Sequence, residues 1–445
     1  MPDRKAAIFI ALVLVLAAAY LAIASMPSVA ERAARVARDD ARKAGFKLDL
    51  AGFALSPEDA AHAATITNAA GALVANRMPQ AAVLEWIPAR DAFLHADDPR
   101  LDDALRAVLE DRPIRLPITV DERVTPPPLG RGPFSSGRPA QESLQGLTAL
   151  DTVFFDRARR ALRESRPDDA WTNLLAGNAL VARFEPRPSA QFYLVRAMLM
   201  EVAFRETSEL LRAHPWSDPQ LAALERLWSE TGFLRGLDEV PMYDCAEVLN
   251  ASDRLRANIR SRRWFGRMLT RSFDQLANSM EAAWNELGSS LKRRSALLEF
   301  ARHMAPTNEL HAIQYYRERA AELREVSASP DWRAMRQFPS VTNRTAVLFL
   351  NAMVNRWPDR RIDEWNQGFE FAFSKVAVAE SRRRLLLAIL AVERAKLRLG
   401  RLPATLAEAG DVPPDFMTGE PFAYRPESDG TYQLDTAGES GAASD

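Results

Sequence analysis

Cys245, in the segment PMYDCAEVLN, is the only cysteine of the 445-residue chain. Alone it forms no intramolecular disulfide, and it excludes a thiolate-based structural zinc or iron–sulfur site within one chain. A nucleophilic role would need an ionised thiol beside a base. No histidine stands near it in the sequence, so the expected role is a small buried residue at a helix start. The five histidines, His62, His95, His214, His303 and His311, are scattered. His303 and His311 lie on either side of Pro306, which argues against a common helix face, and a metal role would need a third ligand. Surface or satisfied core positions are expected for all five.

Other residue types that do chemistry appear in pairs without a motif. Asp363 and Glu370 stand near Trp357 and Trp365 and would line a pocket if they converged; solvated surface acids are the expectation. Arg382-Arg383-Arg384 interrupts an apolar helix. It suits a lipid headgroup or an acidic partner, or a solvated face with acids such as Glu380 nearby, and the solvated face is expected. The chain has no Gly-rich phosphate loop, no Gly-x-Ser-x-Gly elbow and no His-Glu-x-x-His. No catalytic, cofactor-binding or metal-binding residue is assigned, and no cofactor is expected. Trp171, Trp228 and Trp264 sit among apolar residues at helical spacing, as core residues do.

The element that positions the rest is the run 6–26, AAIFIALVLVLAAAYLAIASM, which carries no charge, Gly or Pro. Arg4 and Lys5 precede it and Pro27 ends it. As a helix it spans roughly 30 Å, the thickness of a bilayer's hydrocarbon core. A cleaved signal is the alternative, with small-residue endings at Ala22-Ile23-Ala24 and Ser28-Val29-Ala30. Signal cores run about 7–15 residues, however, and this run is longer, which favours an uncleaved anchor. Both readings export the body. Against export, Arg32, Arg35, Arg38, Arg42 and Lys43 follow the run, and basic residues favour the cytoplasmic side. The expectation is a single-pass protein of the inner (plasma) membrane with the bulk of the chain extracytoplasmic.

The 58 basic and 59 acidic residues leave no global field to draw nucleic acid. With 47% apolar residues, rich in Ala, Leu, Arg and Glu, the chain predicts a large helical core. Residues 27–124 read as a juxtamembrane helical region. Within it, Phe46 to Leu50 alternates as a short strand would, and Ser56 caps a helix opened by Pro57. The Pro/Gly-rich stretch 125–143 reads as a linker. Residues 144–400 read as a helical domain. There Phe192, Val195, Leu199 and Val202 share one face, and Ser217 with Gln220 forms a capping box beside a Trp216–Leu221 staple. Asp168 to Trp171 opens a helix resembling one helical-hairpin repeat, with no second copy. Residues 401–437 predict a short helix and a hairpin turning at Ser428-Asp429-Gly430, and 438–445 a disordered tail. The fold class is therefore mainly α: an N-terminal transmembrane helix, an antiparallel helical bundle or irregular α-solenoid, and a small C-terminal β-hairpin.

The C-terminal block, from RRRLLLAILAVERAKLRLGRLP to the hairpin, resembles the end of uncharacterised membrane-anchored helical bacterial proteins. The shared pattern is an apolar helix, a Gly-x-x-Pro turn, a short helix, a Pro-Asp-Phe-x-Thr-Gly-x-Pro loop and a hairpin. The matching residues are Gly400, Pro403, Pro414, Asp415, Phe416, Thr418, Gly419, Pro421 and Tyr424. Trp216 to Trp228 is similar to a helix start in the same group. The block is also similar to the globular end of the major pseudopilins of type II secretion, which bind calcium in an acidic loop after the hairpin. Here Asp435-Thr436-Ala437-Gly438-Glu439 lacks the paired aspartates, and the N-terminus lacks the pilin processing signal. The resemblance thus implies a membrane-anchored envelope protein and carries no activity with it.

The expected function is that of a membrane-tethered, non-enzymatic helical interaction or scaffold protein of the bacterial cell envelope. Its partners would be the membrane, through 6–26, and an envelope protein, with no nucleic acid. The alternatives are an envelope hydrolase whose site assembles from distant residues, and an accessory component of a secretion or pilus-like system.

Overall fold

The computed structural model describes residues 26–75, 99–115, 138–185, 190–260, 299–333 and 360–435, with single helical positions at 11, 12, 15, 18, 19, 22, 281, 282, 285, 289 and 292. Most of 6–26, all of 125–137 and 436–445, and His95, Trp264 and Trp357 lie outside the described residues. Among the described residues no helix is long and apolar enough to cross a membrane.

The fold is mainly α, with a small C-terminal antiparallel hairpin. In order, the helices are α1 (Val29–Lys43), α2 (Pro57–Ala75), α3 (Pro99–Leu109), α4 (Arg138–Arg163), α5 (Pro167–Arg183), α6 (Ala190–Ala213), α7 (Asp218–Ser229), α8 (Glu239–Arg260), α9 (Ala305–Ser327), α10 (Arg360–Leu399) and α11 (Leu406–Ala409). Contacts divide the chain into two units. One comprises Met1–Phe53, Pro241–Arg319 and Asn343–Pro358; the other comprises Ala54–Val240, Ala320–Thr342 and Asp359–Asp445.

In the first unit, Ser28 caps α1: its hydroxyl accepts from Glu31 N–H at 3.1 Å, and Glu31 Oε2 accepts from Ser28 N–H at 2.9 Å. Phe46 and Leu48 are buried while Asp49 is exposed, as the alternation predicts. Yet the segment is no strand, because no neighbouring strand among the described residues pairs with it; it runs into a 3-10 turn, Leu50–Phe53. A π turn, Phe300–Met304, leads directly into α9. Pro306 therefore does not break the helix, contrary to the sequence reading. Proline is tolerated in a first turn, and the Arg302 carbonyl that its missing N–H would have served accepts from the Ser28 hydroxyl instead.

The second unit is organised by α10. From Leu385 to Val392 it is buried on every side, so it runs through the core rather than over it. Helices α6 and α7 pack along it, α5 touches both, and α4 packs on α5, α6 and α2. The large core residues include Phe154, Phe155, Leu174, Trp228, Leu386, Leu390 and Phe416. The α2–α4 contact requires a glycine: a Cβ on Gly146 would lie 2.8 Å from the Ala70 backbone. Helix α4 begins inside the stretch 125–143, so its last residues are helical. Two short strands the periodicity does not show, β1 (Ile114–Arg115) and β2 (Phe184–Glu185), pair in parallel.

The C-terminal hairpin, β3 (Ala423–Pro426) and β4 (Tyr432–Asp435), forms as expected, with Tyr424 opposite Leu434. Its turn is held by Asp429, whose Oδ1 accepts from Thr431 N–H at 2.9 Å. With α11, the hairpin buries Leu406, Val412, Phe422 and Tyr424 around Leu385, Ala388, Val392 and Ala395 of α10.

Candidate functional site

Cys245 lies on the seventh residue of α8, fully buried. Burial pushes its thiol up to about 12, so the thiolate needed for attack is absent at neutral pH. The same burial, with the charge of Glu247 beside it, raises the Asp244 carboxyl well above its ordinary value. Near them, a polar cluster of the first unit centres on Glu309, whose side chain is 1% exposed. Its carboxylate takes Arg38 at 2.7 Å, Arg256 at 2.6 Å and the Ser252 hydroxyl at 2.7 Å. Arg38 also forks onto Asp253, at 3.0 and 3.2 Å. Burial works against the Arg38 charge, but these acids outweigh it and raise its pKa. The arrangement ties α1 to α8 and α9 and uses up both Glu309 oxygens.

In the second unit Arg383 and Arg384 are not on the solvated face that the sequence suggests. Their side chains are 12% and 14% exposed, and both converge on the buried Glu380 one turn earlier. Arg383 donates to the two Glu380 oxygens at 3.0 and 2.6 Å, and Arg384 Nε at 3.0 Å. Burial by itself would raise the Glu380 pKa; hydrogen bonds and charge from Arg383, then from Arg384, hold it below its ordinary value instead. Other guanidinium protons serve backbone carbonyls. Arg383 caps Trp228 at the end of α7 (2.8 Å), while Arg384 reaches Pro330 (3.3 Å) and Pro414 (3.1 Å). Arg382 pairs with Glu201 at 3.3 Å and covers the Phe204 ring.

Arg384 thereby grips the loop that carries Pro-Asp-Phe-x-Thr-Gly. Asp415 and Phe416 are wholly buried. Asp415 accepts from Met417 N–H at 3.2 Å, from the Thr418 hydroxyl at 2.9 Å and from Ser381 of α10. Phe416 lies under the Arg384 guanidinium, and its carbonyl accepts from Trp332 N–H at 2.7 Å. Gly419 has φ +73°, and a Cβ there would lie 2.9 Å from an Asp331 carboxylate oxygen. Each motif residue with a polar or conformational peculiarity is thus consumed in shaping the loop and docking it onto α10 and the segment that follows α9.

Comparison with family models, curated proteins and solved structures gives no match. The site stands on its own geometry.

Two buried polar groups of the second unit, Asn178 and Asp151, contrast with each other. Asn178 is fully satisfied: its Oδ1 accepts from Trp228 Nε1 at 2.9 Å, and its Nδ2 donates to Thr207 Oγ1 at 2.8 Å and to the Leu174 carbonyl at 2.9 Å. Asp151 on α4 is the opposite case. It is fully buried, neither carboxylate oxygen has a hydrogen-bond partner among the described residues, and burial raises its pKa well above the ordinary value. Among the described residues no three His, Cys, Asp or Glu are grouped to hold a metal ion. His62 is buried with Nδ1 3.3 Å from Glu110, His214 packs edge-on to Trp216, and His303 is exposed beside Glu299. Asp363, Trp365 and Glu370 fall on α10, where only the backbone is described.

Among the described residues of α1, one charged face is not taken up in ion pairs. On α1, Arg32 and Arg35 are exposed and their side chains make no ion pair with a described residue. Val29 and Val36 stand exposed beside them. The sequence reading names both arginines only as part of a basic count; what it misses is that Arg38, Arg42 and Lys43 are engaged and these two are not.

Proposed function

We propose that the protein is a membrane-tethered helical scaffold of the bacterial cell envelope, whose packed helices bind a protein partner rather than transform a substrate. The observation that carries this reading is that the clustered reactive side chains are spent on one another and on the backbone. Glu309, Glu380 and Asp415 have their oxygens taken by arginines, hydroxyls and backbone N–H groups, and the Cys245 thiol is held protonated. A general acid, base or nucleophile needs a free valence toward a substrate, and these groups offer none. The uncharged run 6–26 supports tethering, since it matches the hydrocarbon thickness of a bilayer.

The reading is tested in intact spheroplasts treated with protease, following the body through a C-terminal tag, with lysed spheroplasts as control. Digestion from outside is the expected outcome and directs crosslinking at envelope partners. Protection until lysis would place the body in the cytoplasm and overturn the envelope assignment.

A further inference from the structure

Helix α1 is fixed about its own axis. Ala34 and Ala41 are buried on its inner face, Arg38 is pinned by Glu309 and Asp253, and the Ser28 hydroxyl is bonded to the Arg302 carbonyl. With 3.6 residues per turn, Val29, Arg32 and Val36 fall opposite Ala34 and Ala41, with Arg35 on the flank. Val29 is 73% and Val36 59% exposed. The helix is also divided along its length. In its second half the charges neutralise one another, Asp39 with Arg42 at 3.6 Å and Asp40 with Lys43 at 3.8 Å. In the first half the outward charge is that of Arg32 and Arg35. Glu31, the only acid there, is turned back to cap Ser28.

We infer that the first half of α1 lies on an anionic lipid surface, with Val29 and Val36 among the headgroups and Arg32 and Arg35 on their phosphates. This rests on the reading of 6–26 as an anchor. That run ends at Met26, and three extended residues reach at most about 10 Å, so Val29 stays within or just above the headgroup layer. A short apolar-and-basic face meeting an anionic interface is the arrangement such surfaces bind. Each arginine near the surface strengthens association about fivefold, and the attraction falls off within a Debye length. Because the inner face is locked to α8 and α9, the lipid contact would also set the orientation of those helices to the membrane.

The test uses the full chain with Cys245→Ser and Val36→Cys, labelled at the introduced thiol with an environment-sensitive dye and reconstituted into vesicles. Vesicles of phosphatidylcholine, with or without phosphatidylglycerol, carry a headgroup-level spin-labelled lipid as quencher. Flotation and resistance to alkaline carbonate report the anchor separately. The expected result is flotation in both vesicle types, with quenching that is strong when phosphatidylglycerol is present and is weakened fivefold or more by Arg32→Gln with Arg35→Gln. A chain that floats with its label unquenched overturns the surface contact and leaves the anchor standing. Quenching that is equal without phosphatidylglycerol, or indifferent to the two glutamines, overturns the recognition of anionic lipid. Failure to float overturns the anchor and the inference with it.

Discussion

Glu380 and Asp151 are both buried carboxyls, and their surroundings give them opposite effects on stability. Glu380 sits between two guanidiniums that share its burial. Replacing it by Gln keeps the shape and leaves Arg383 and Arg384 without a counter-ion, a loss expected to cost about 3–5 kcal/mol. Urea unfolding would show it as a lower midpoint; an unchanged midpoint would mean the arginines find solvent. The Glu380 pKa is depressed in the fold, so its contribution is present above the unfolded carboxylate pKa and is lost as pH falls through the folded one. Asp151 works the other way. Its pKa is raised by burial alone, so the folded chain keeps a proton that the unfolded chain releases above about pH 4. Stability falls as pH rises from there toward the folded pKa. Asp151→Leu, which removes the unpartnered carboxyl, is expected to gain about 1–3 kcal/mol at neutral pH. Melting temperatures from pH 4 to 8 should flatten in this variant; an unaltered slope would show that Asp151 is not the group responsible.

At the scale of elements, the C-terminal block and α10 are one packing unit. Residues Leu385 to Val392 are apolar on every face, and α11 and the hairpin cover the side that α6 and α7 do not. Deleting 402–445 should uncover that side and cause aggregation and dye binding; a soluble, fully folded truncation would make the hairpin a detachable module. The hairpin was legible because Ser428-Asp429-Gly430 lies between alternating strands, and α7 because Ser217, Gln220 and Leu221 mark its start. The arginine triplet was misread because a run of charge in sequence carries no sign of what surrounds it in space. Glu380, three and four residues before Arg383 and Arg384, is named among the nearby acids, and it is the partner that draws both arginines inward. Pro306 misled for a related reason. The bond that replaces its missing N–H comes from Ser28, 274 residues from the carbonyl it serves, and β1 and β2 likewise exist only through each other.

At the scale of the whole molecule, the proposed reading places two attachments to a membrane on adjacent stretches of chain, and they differ in strength. The run 6–26 would bury its whole length in hydrocarbon, which holds a protein against salt and carbonate alike. The face of α1 offers two valines and two arginines, enough only for a reversible, screened contact. Leu14 stands near the middle of the run, where an arginine costs roughly 2.5–3.5 kcal/mol of insertion. Leu14→Arg is therefore expected to convert carbonate-resistant membrane protein into protein that is exported poorly or held only until a high-salt wash. Fractionation with successive salt and carbonate washes separates the two contributions. Retention unchanged through carbonate would sink the anchor. Complete release before any salt wash would show that α1 alone holds nothing. Release by salt, and not before, would assign the permanent hold to 6–26 and the orienting contact to α1.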